Sequence, residues 1–346
     1  MSADSIHILM TGGGAPGAPG ILHCLRQEKS WTIHLADVDP EASGRYLADH
    51  FTVIPAASHP DFIPSVLKYC QEHQINIILP LVTRELIPFA NAKNIFEEKG
   101  IHVLVSPAAS LDIANNKSAL YQFLQWRDIP VPAFRVAETV EQFKEAVEVL
   151  GYPAKPVCFK PSVSNGSRGF RVLHTGINEH DWLFNQKPDS RYIQYEDACR
   201  ILSSAPFPEL LVSEYLPGDE YSVDCLCNHG ESRIIVPRLR IKQINGISVK
   251  GQFVDNEEIK QTCKRIVTEL KLHGNIGIQL KADAAGKFQI LEINPRVQGS
   301  ISTCLGAGVN LPVLAIRQEL GLPDSDLSVQ IRWGSHFSRY WSDINY

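Results

Sequence analysis

The chain has 346 residues, of which 44% are hydrophobic and 21% charged, and its formal net charge is -5. This is the composition of a folded globular protein with room for two or three packed segments. The mild acidity excludes a broad nucleic-acid surface but not a local basic patch. No stretch approaches the roughly 18 consecutive apolar residues of a membrane span, and the start MSADSIHILM lacks the basic and long apolar regions of a signal peptide. The eight cysteines are scattered and form no CxxC pair. That speaks against a zinc ribbon or dithiol redox site and for reduced, mostly buried thiols in a cytoplasmic protein.

The elements alternate at first. Ile6–Met10 is an apolar run ending in a glycine-rich turn, and ILHCLRQ after Pro19 has helical spacing. Further apolar runs at Thr32–Asp37, Ile75–Leu81 and His102–Val105, with helical stretches between them, predict a parallel sheet covered on both faces over about residues 1–110. A helix with Leu120, Phe123 and Leu124 on one face follows. Another runs from about Thr139 to Leu150, where Thr139 and Gln142 have capping-box spacing and Gly151 and Pro153 stop it. From Val157 the pattern changes to strands joined by glycine turns: Val157–Lys160, Phe170–Leu173, Leu210–Tyr215, Tyr221–Cys227, Arg233–Val236, Ile276–Asp283 and Phe288–Asn294. The expected architecture is an α/β part followed by an α+β part. Residues 187–208 read as an irregular connection, and no internal repeat is present.

Chemistry enters with the runs IGIQLKAD and FQILEINPR, separated by AAGK. Taking Ala285-Gly286 as a two-residue hairpin turn opposes Asp283 to Phe288, Leu280 to Leu291 and Gln279 to Glu292. Ile276, Ile278, Leu280 and Ala282 then share a core face. Gln279, Glu292 and Asn294 gather on the other, with opposed Cβ atoms about 4.5–5.5 Å apart. A carboxylate and two amide carbonyls are hard oxygen donors, which suit Mg²⁺ in company with substrate phosphates. Arg296 follows directly and can neutralise charge on a transferred phosphoryl group. Read alone, the hairpin fits a solvated face with one salt bridge equally well.

In FKPSVSNGSRGF a strand delivers Lys160 to a loop in which Gly166 and Gly169 let backbone N–H groups approach phosphate oxygens, with Ser167 and Arg168 between them. It is not a Walker loop, since no GxxxxGK[ST] occurs. In LLVSEYLPGDEYSVD a strand runs through Glu214 and Leu216 to a turn at 217–219. Exposed backbone amides there can pair with an adenine edge, and Glu220 can accept from ribose hydroxyls. Each of these two segments, alone, also fits an ordinary β-hairpin. Finally TGGGAPGAPG places Gly12, Gly14 and Gly17 in a G-x-G-x-x-G array between a strand and a helix, with Asp37 twenty residues beyond Gly17. That spacing fits a dinucleotide fingerprint, though Pro16 and Pro19 interrupt the usual helix entry.

Taken in order, phosphate loop, hinge and oxygen-donor hairpin resemble the ATP-grasp superfamily over about residues 111–335. In particular they resemble the ATP-grasp unit of carbamoyl phosphate synthetase large chains and their single-domain, carboxylate–amine ligase relatives, whose metal-binding strand is very like ILEINPRVQGS. The resemblance implies a Rossmann-like pre-ATP-grasp domain at 1–110, an N-terminal ATP-grasp subdomain with the phosphate loop at 111–210, and a C-terminal subdomain with the metal and substrate site at 211–346. It implies ATP and Mg²⁺ (or Mn²⁺), with Gln279, Glu292 and Asn294 on the metal and Arg296 on the reacting phosphoryl group. Lys117, Lys160 and Ser167 are assigned to phosphate, Glu214 and Leu216 to adenine, Glu220 to ribose, and Arg238 to a substrate carboxylate or acyl phosphate. Arg240 and Lys250 share Arg238's segment.

The activity so implied is ligation of a small carboxylate to an amine through an acyl phosphate. From charge and hydropathy no nucleic-acid or membrane partner is expected, and a homodimer is the default on base rates. Only one ATP-grasp unit is present, so carbamoyl phosphate synthesis by this chain alone is not expected. The competing readings are an NAD-dependent oxidoreductase using the glycine turn, an ATP-binding regulatory protein without catalysis, and a carboxylate kinase or carboxylase of the same fold.

Overall fold

The computed structural model describes residues 6–164, 166, 168–174, 179–185, 190–244, 246–323 and 329–345, which form three sheets. The first contains β1 (Ile6–Thr11), β2 (Trp31–Asp37), β3 (His50–Val53), β4 (Ile77–Leu79) and β5 (His102–Val103), in the order β3-β2-β1-β4-β5. All its strands run parallel. Helices α1 (Ala18–Leu25), α2 (Phe62–Glu72) and α3 (Thr83–Glu97) alternate with the strands, and α4 (Ala108–Asn115) follows the last of them. The second sheet, order β6-β10-β7-β8-β9, contains β6 (Phe134–Ala137), β7 (Val157–Pro161), β8 (Arg171–Leu173), β9 (Tyr192–Ile193) and β10 (Leu210–Glu214). With it go α5 (Lys117–Trp126), α6 (Val140–Val149), α7 (Glu179–Asn185) and α8 (Tyr195–Leu202).

The third sheet runs β15-β14-β11-β12-β13-β16. Its strands are β11 (Glu220–Asn228), β12 (Glu231–Ile244), β13 (Ile247–Phe253), β14 (Gly274–Ala282), β15 (Phe288–Asn294) and β16 (His336–Ser338), with α9 (Glu257–Glu269), a 3₁₀ stretch at Ile301–Ala307 and α10 (Leu311–Glu319). The α/β then α+β order read from the sequence is the observed one. Five strands were not legible: β3, β6, β9, β13 and β16. β3, β6, β9 and β16 have no more than four residues each. The fifth, β13, pairs with the far half of β12, where Ile241 to Ile244 are exposed and give no alternating signal.

By packing, the chain divides into one unit of residues 1–112, 220–279 and 293–346 and another of 113–219 and 280–292. The expected domains are 1–110, 111–210 and 211–346; the packing breaks fall after 112, 219, 279 and 292. That residues 280–292 group with the middle segment has no counterpart in a linear reading. In the larger unit, Ile8 and Met10 point from β1 into a core shared with Leu226, Val236, Phe253, Val297 and Ile301. Leu9, on the opposite face of the same strand, packs with Phe62, Phe89 and Phe96. The smaller unit has its own core of Phe143, Val147, Val157, Phe159, Leu210 and Val212. The expected cap is present: Thr139 Oγ1 accepts from Gln142 N at 3.2 Å.

The glycine turn after β1 has a packing explanation. A Cβ on Gly17 would overlap the Gly299 backbone, and one on Gly20 would overlap the Ser302 side chain. These glycines are required because the turn lies directly on the 299–302 segment of the same unit. Asp37, the acid of the fingerprint, accepts a hydrogen bond from Gly14 N at 2.8 Å and so closes its own loop. No helix of the described residues is long and apolar enough to cross a membrane.

Candidate functional site

In the smaller unit, Lys117 opens α5 behind the N-cap Asn116, whose side chain accepts from Ala119 N at 3.0 Å. Lys117 is only 7% exposed, and its Nζ donates to Ser164 O at 2.6 Å. Burial and the Lys160 charge bring its pKa down to about 8, against an opposing pull from Glu292. Lys160, on β7, donates to Leu291 O at 3.0 Å, and the Tyr121 hydroxyl donates to the same carbonyl at 3.3 Å. Tyr121 therefore belongs to this cluster; it is fully buried on α5, and nothing in its sequence context marks it. Lys117 thus feels both the Lys160 ammonium and the Glu292 carboxylate within this unit. The loop beyond Lys160 has Gly166 and Gly169 at positive φ, 65° and 77°, and a Cβ on Gly169 would meet Pro161. Ser167 lies outside the described residues.

At the hinge, Glu214 ends β10 and accepts from Ala133 N at 2.9 Å, while Leu216 is buried. Gly218 N donates to Ala282 O at 3.0 Å and Ala282 N to Asp219 O at 2.9 Å, tying the turn to the end of β14. A Cβ at Gly218 would strike Ala282, so the glycine is needed for that approach. The hairpin turn differs from expectation. Asp283 N donates to Lys287 O at 2.9 Å, and Gly286 N donates to Asp283 O at 3.0 Å. The Asp283 carboxylate accepts from Ala285 N and Lys287 N, and Gly286 sits at φ 81°. The loop therefore has three residues, with Asp283 facing Lys287 rather than Phe288. The opposition of Gln279 to Glu292 does not follow from this turn.

In the larger unit, Arg238 on β12 is 0% exposed. Its Nη2 and Nε reach Asp224 Oδ2 at 2.6 and 2.7 Å, and further bonds run to Ser300 Oγ at 3.0 Å and Thr303 Oγ1 at 3.3 Å. Arg238, expected to face a substrate carboxylate, here bonds a carboxylate of the chain itself, Asp224. Arg240 pairs with Glu220, and its Nη1 donates to Gln279 Oε1 at 3.2 Å. Glu220 also accepts from Gln243 Nε2 at 3.2 Å. Arg296 donates from Nε to Thr83 Oγ1 at 3.1 Å and from Nη1 to Val297 O at 2.8 Å. Asn294 lies at the end of β15, and its carbonyl accepts from Arg296 N at 2.7 Å.

Gln279 and Asn294 in the larger unit and Glu292 in the smaller each offer hard oxygen donors, the type that suits Mg²⁺. Among the described residues no group of three or more His, Cys, Asp or Glu side chains could hold a metal ion.

One titratable group was missed from the sequence. Glu85, in the first turn of α3, is 4% exposed and accepts from Thr11 Oγ1 at 2.5 Å. Burial, helped by Asp37, pushes its pKa up to about 7. The folded chain therefore holds this proton more tightly than the unfolded chain, and stability falls as pH rises from about 4.5 to about 7. Glu85→Gln removes that loss. Urea titrations are expected to show the variant more stable by about 3 kcal/mol at pH 8 and close to wild type at pH 4. An equal shift at both pH values would contradict the raised pKa.

Comparison with known proteins places this geometry. N5-carboxyaminoimidazole ribonucleotide synthetase in its ADP complex superposes with a TM-score of 0.68 at 19% identity, covering 92% of this chain and 78% of that one. The L-amino acid ligase of Bacillus licheniformis gives 0.66 at 14% identity, covering 95% and 78%. The chain therefore shares the fold of these two proteins. Residues 206–337 match the family described as ATP-grasp in the biosynthetic pathway with Ter operon, and residues 8–104 match the PylC-like N-terminal domain. The carbamoyl phosphate synthase large chain of Methanothermobacter thermautotrophicus is 24% identical over 238 residues, 65% of this chain and 21% of its own length. The chain spans about a fifth of the length of the curated relatives it matches. The chain thus carries a segment matching an ATP-grasp domain and, before it, a segment matching the PylC-like N-terminal domain.

Proposed function

We propose that the protein is an ATP- and Mg²⁺-dependent carboxylate–amine ligase. The observation that carries this reading is the cluster of Lys117, Lys160 and Glu292 within one unit, since two ammonium groups and one carboxylate suit a polyphosphate with its metal. Lys117, Lys160 and the loop with Ser167 are assigned to the phosphates, Glu214 and Leu216 to the adenine, and Glu220 to the ribose. Glu292, Asn294 and Gln279 would hold Mg²⁺, which supplies charge neutralisation at the phosphate oxygens when bound. Mn²⁺ suits the same donors. Gln279 must then share its carbonyl oxygen between the metal and Arg240.

A substrate carboxylate oxygen attacks the γ-phosphorus, the bond to the β-phosphate bridging oxygen breaks, and ADP leaves. Arg296 offsets the charge on the transferred group. The amine nitrogen then attacks the acyl carbon and inorganic phosphate departs. The nitrogen loses a proton and an amide remains. The Bacillus licheniformis relative is a ligase of amino acids by name, which favours amino acids among the substrates to be tried.

Phosphate release from ATP and Mg²⁺ across amino acids and small carboxylates, singly and in pairs, tests the reading. Release only with particular carboxylate and amine pairs is expected. Release with carboxylates alone would make the protein a carboxylate kinase, and absence of ATP binding would overturn the proposal.

A further inference from the structure

The C-terminal strand β16 pairs antiparallel with β13, setting Ser338 opposite Lys250, Phe337 opposite Gly251 and His336 opposite Gln252. Gly251 is what admits it. A Cβ there would lie 2.6 Å from the Phe337 ring and 2.5 Å from Leu239 O. Arg339 N donates to Val249 O at 2.8 Å, which carries the pairing one residue further. Residues two apart on a strand share a face, so Phe337 and Arg339 point the same way. Phe337 packs on Phe253, and the Arg238 guanidinium lies 5.6 Å from its ring centre. Arg339 is therefore delivered to the face that carries Arg238.

The two guanidinium groups differ in their partners. Arg238 is neutralised by Asp224. Arg339 is half-buried, and among the described residues no carboxylate forms an ion pair with its guanidinium and no acceptor takes a hydrogen bond from it. Its burial and the nearby Arg238 charge both disfavour its protonated form. A half-buried, unpaired cation beside another cation is costly, and a bound anion removes that cost. The planar fork matches an oxyanion through two parallel hydrogen bonds.

We propose that Arg339, positioned by the Gly251–Phe337 contact, binds a carboxylate group of the acid or amine substrate and thereby sets specificity. The identity of the molecule that brings the carboxylate rests on the ligase reading; the anion site itself does not.

Calorimetric titration of the full chain with succinate, with inorganic phosphate and, separately, with Mg-ATP tests this on wild type, Arg339→Gln and Arg339→Lys. Succinate is expected to bind wild type, about tenfold more weakly to the Gln variant, and with intermediate strength to the Lys variant. Mg-ATP affinity should be the same in all three. Equal succinate affinity in wild type and Arg339→Gln, or no succinate binding to wild type, overturns the proposal. Phosphate binding tighter than succinate overturns the carboxylate assignment. Failure of wild type to bind Mg-ATP would sink the ligase reading while leaving the succinate result standing.

Discussion

Glu292→Gln is expected to lower ATP turnover by about a thousandfold or more while leaving the melting temperature within a few degrees of wild type. Glutamine keeps the shape of the side chain and removes its charge. Of the three oxygen donors assigned to Mg²⁺, Glu292 is the only carboxylate, so the substitution leaves three neutral amides to face a divalent ion. A second effect runs through Lys117. Burial and Lys160 depress the Lys117 pKa to about 8, and Glu292 is the group that holds it up. With that support gone, Lys117 loses its proton at a lower pH and a larger fraction is neutral near pH 8. ATP binding by the variant should therefore strengthen more than that of wild type when pH falls from about 8.5 to 7. The direction follows because only protonated Lys117 attracts phosphate. Calorimetric ATP affinities at the two pH values, together with turnover, separate the metal effect from the lysine effect. Full turnover in Glu292→Gln would remove the metal assignment, and identical pH responses would remove the coupling to Lys117.

Local structure was legible where it is set by neighbours in sequence. Lys160 at a strand end, the cap at Thr139, the glycine stop after α6 and the ILEINPR strand all follow from runs of a few residues. What could not be read depends on register between distant segments. Asp224 and Arg238 lie fourteen positions apart on β11 and β12 and meet only because Ser222 stands opposite Arg238, after a register shift at Leu226/Cys227. Once that register is known, Arg238 has a buried carboxylate partner in Asp224; without it, an arginine in a strand near a metal motif looks like a substrate ligand only. The same holds for Gly17 and Gly20. Their spacing matches a phosphate-binding turn, yet their neighbours are Gly299 and Ser302, nearly three hundred residues on. The hairpin turn was misjudged for a local reason, since Asp283 bonds two amides of its own loop and lengthens it by one residue. Glu85 escaped notice because a lone glutamate in a helical first turn is ordinary until its burial is seen.

Asp224→Ala is expected to cost about 3–5 kcal/mol of stability, because it leaves the Arg238 charge at 0% exposure with no carboxylate among its described hydrogen-bond partners. The carboxylate accepts four bonds: two from Arg238, one from Gln298 Nε2 at 3.3 Å and one from Cys304 Sγ at 3.4 Å. Gln298, Ser300, Thr303 and Cys304 all belong to the segment that follows Arg296, so the buried pair anchors that segment to the sheet. Gly277 serves the same end, since any Cβ there would overlap the Gln298 side chain. Loss of the anchor should reach the proposed chemistry through Arg296 and lower ATP turnover even at temperatures where the variant is folded. Removing both charges as Asp224→Leu with Arg238→Met should restore most of the stability, since a buried ion pair replaced by apolar groups of similar volume is often neutral. It should not restore turnover, because the bonds from Arg238 to Ser300 and Thr303 are gone as well. Urea midpoints and ATP turnover measured on the same three proteins decide the matter. A loss below about 1 kcal/mol in Asp224→Ala would mean that Arg238 finds another partner. Recovery of turnover in the double variant would mean that the pair holds the fold and not the segment beside Arg296.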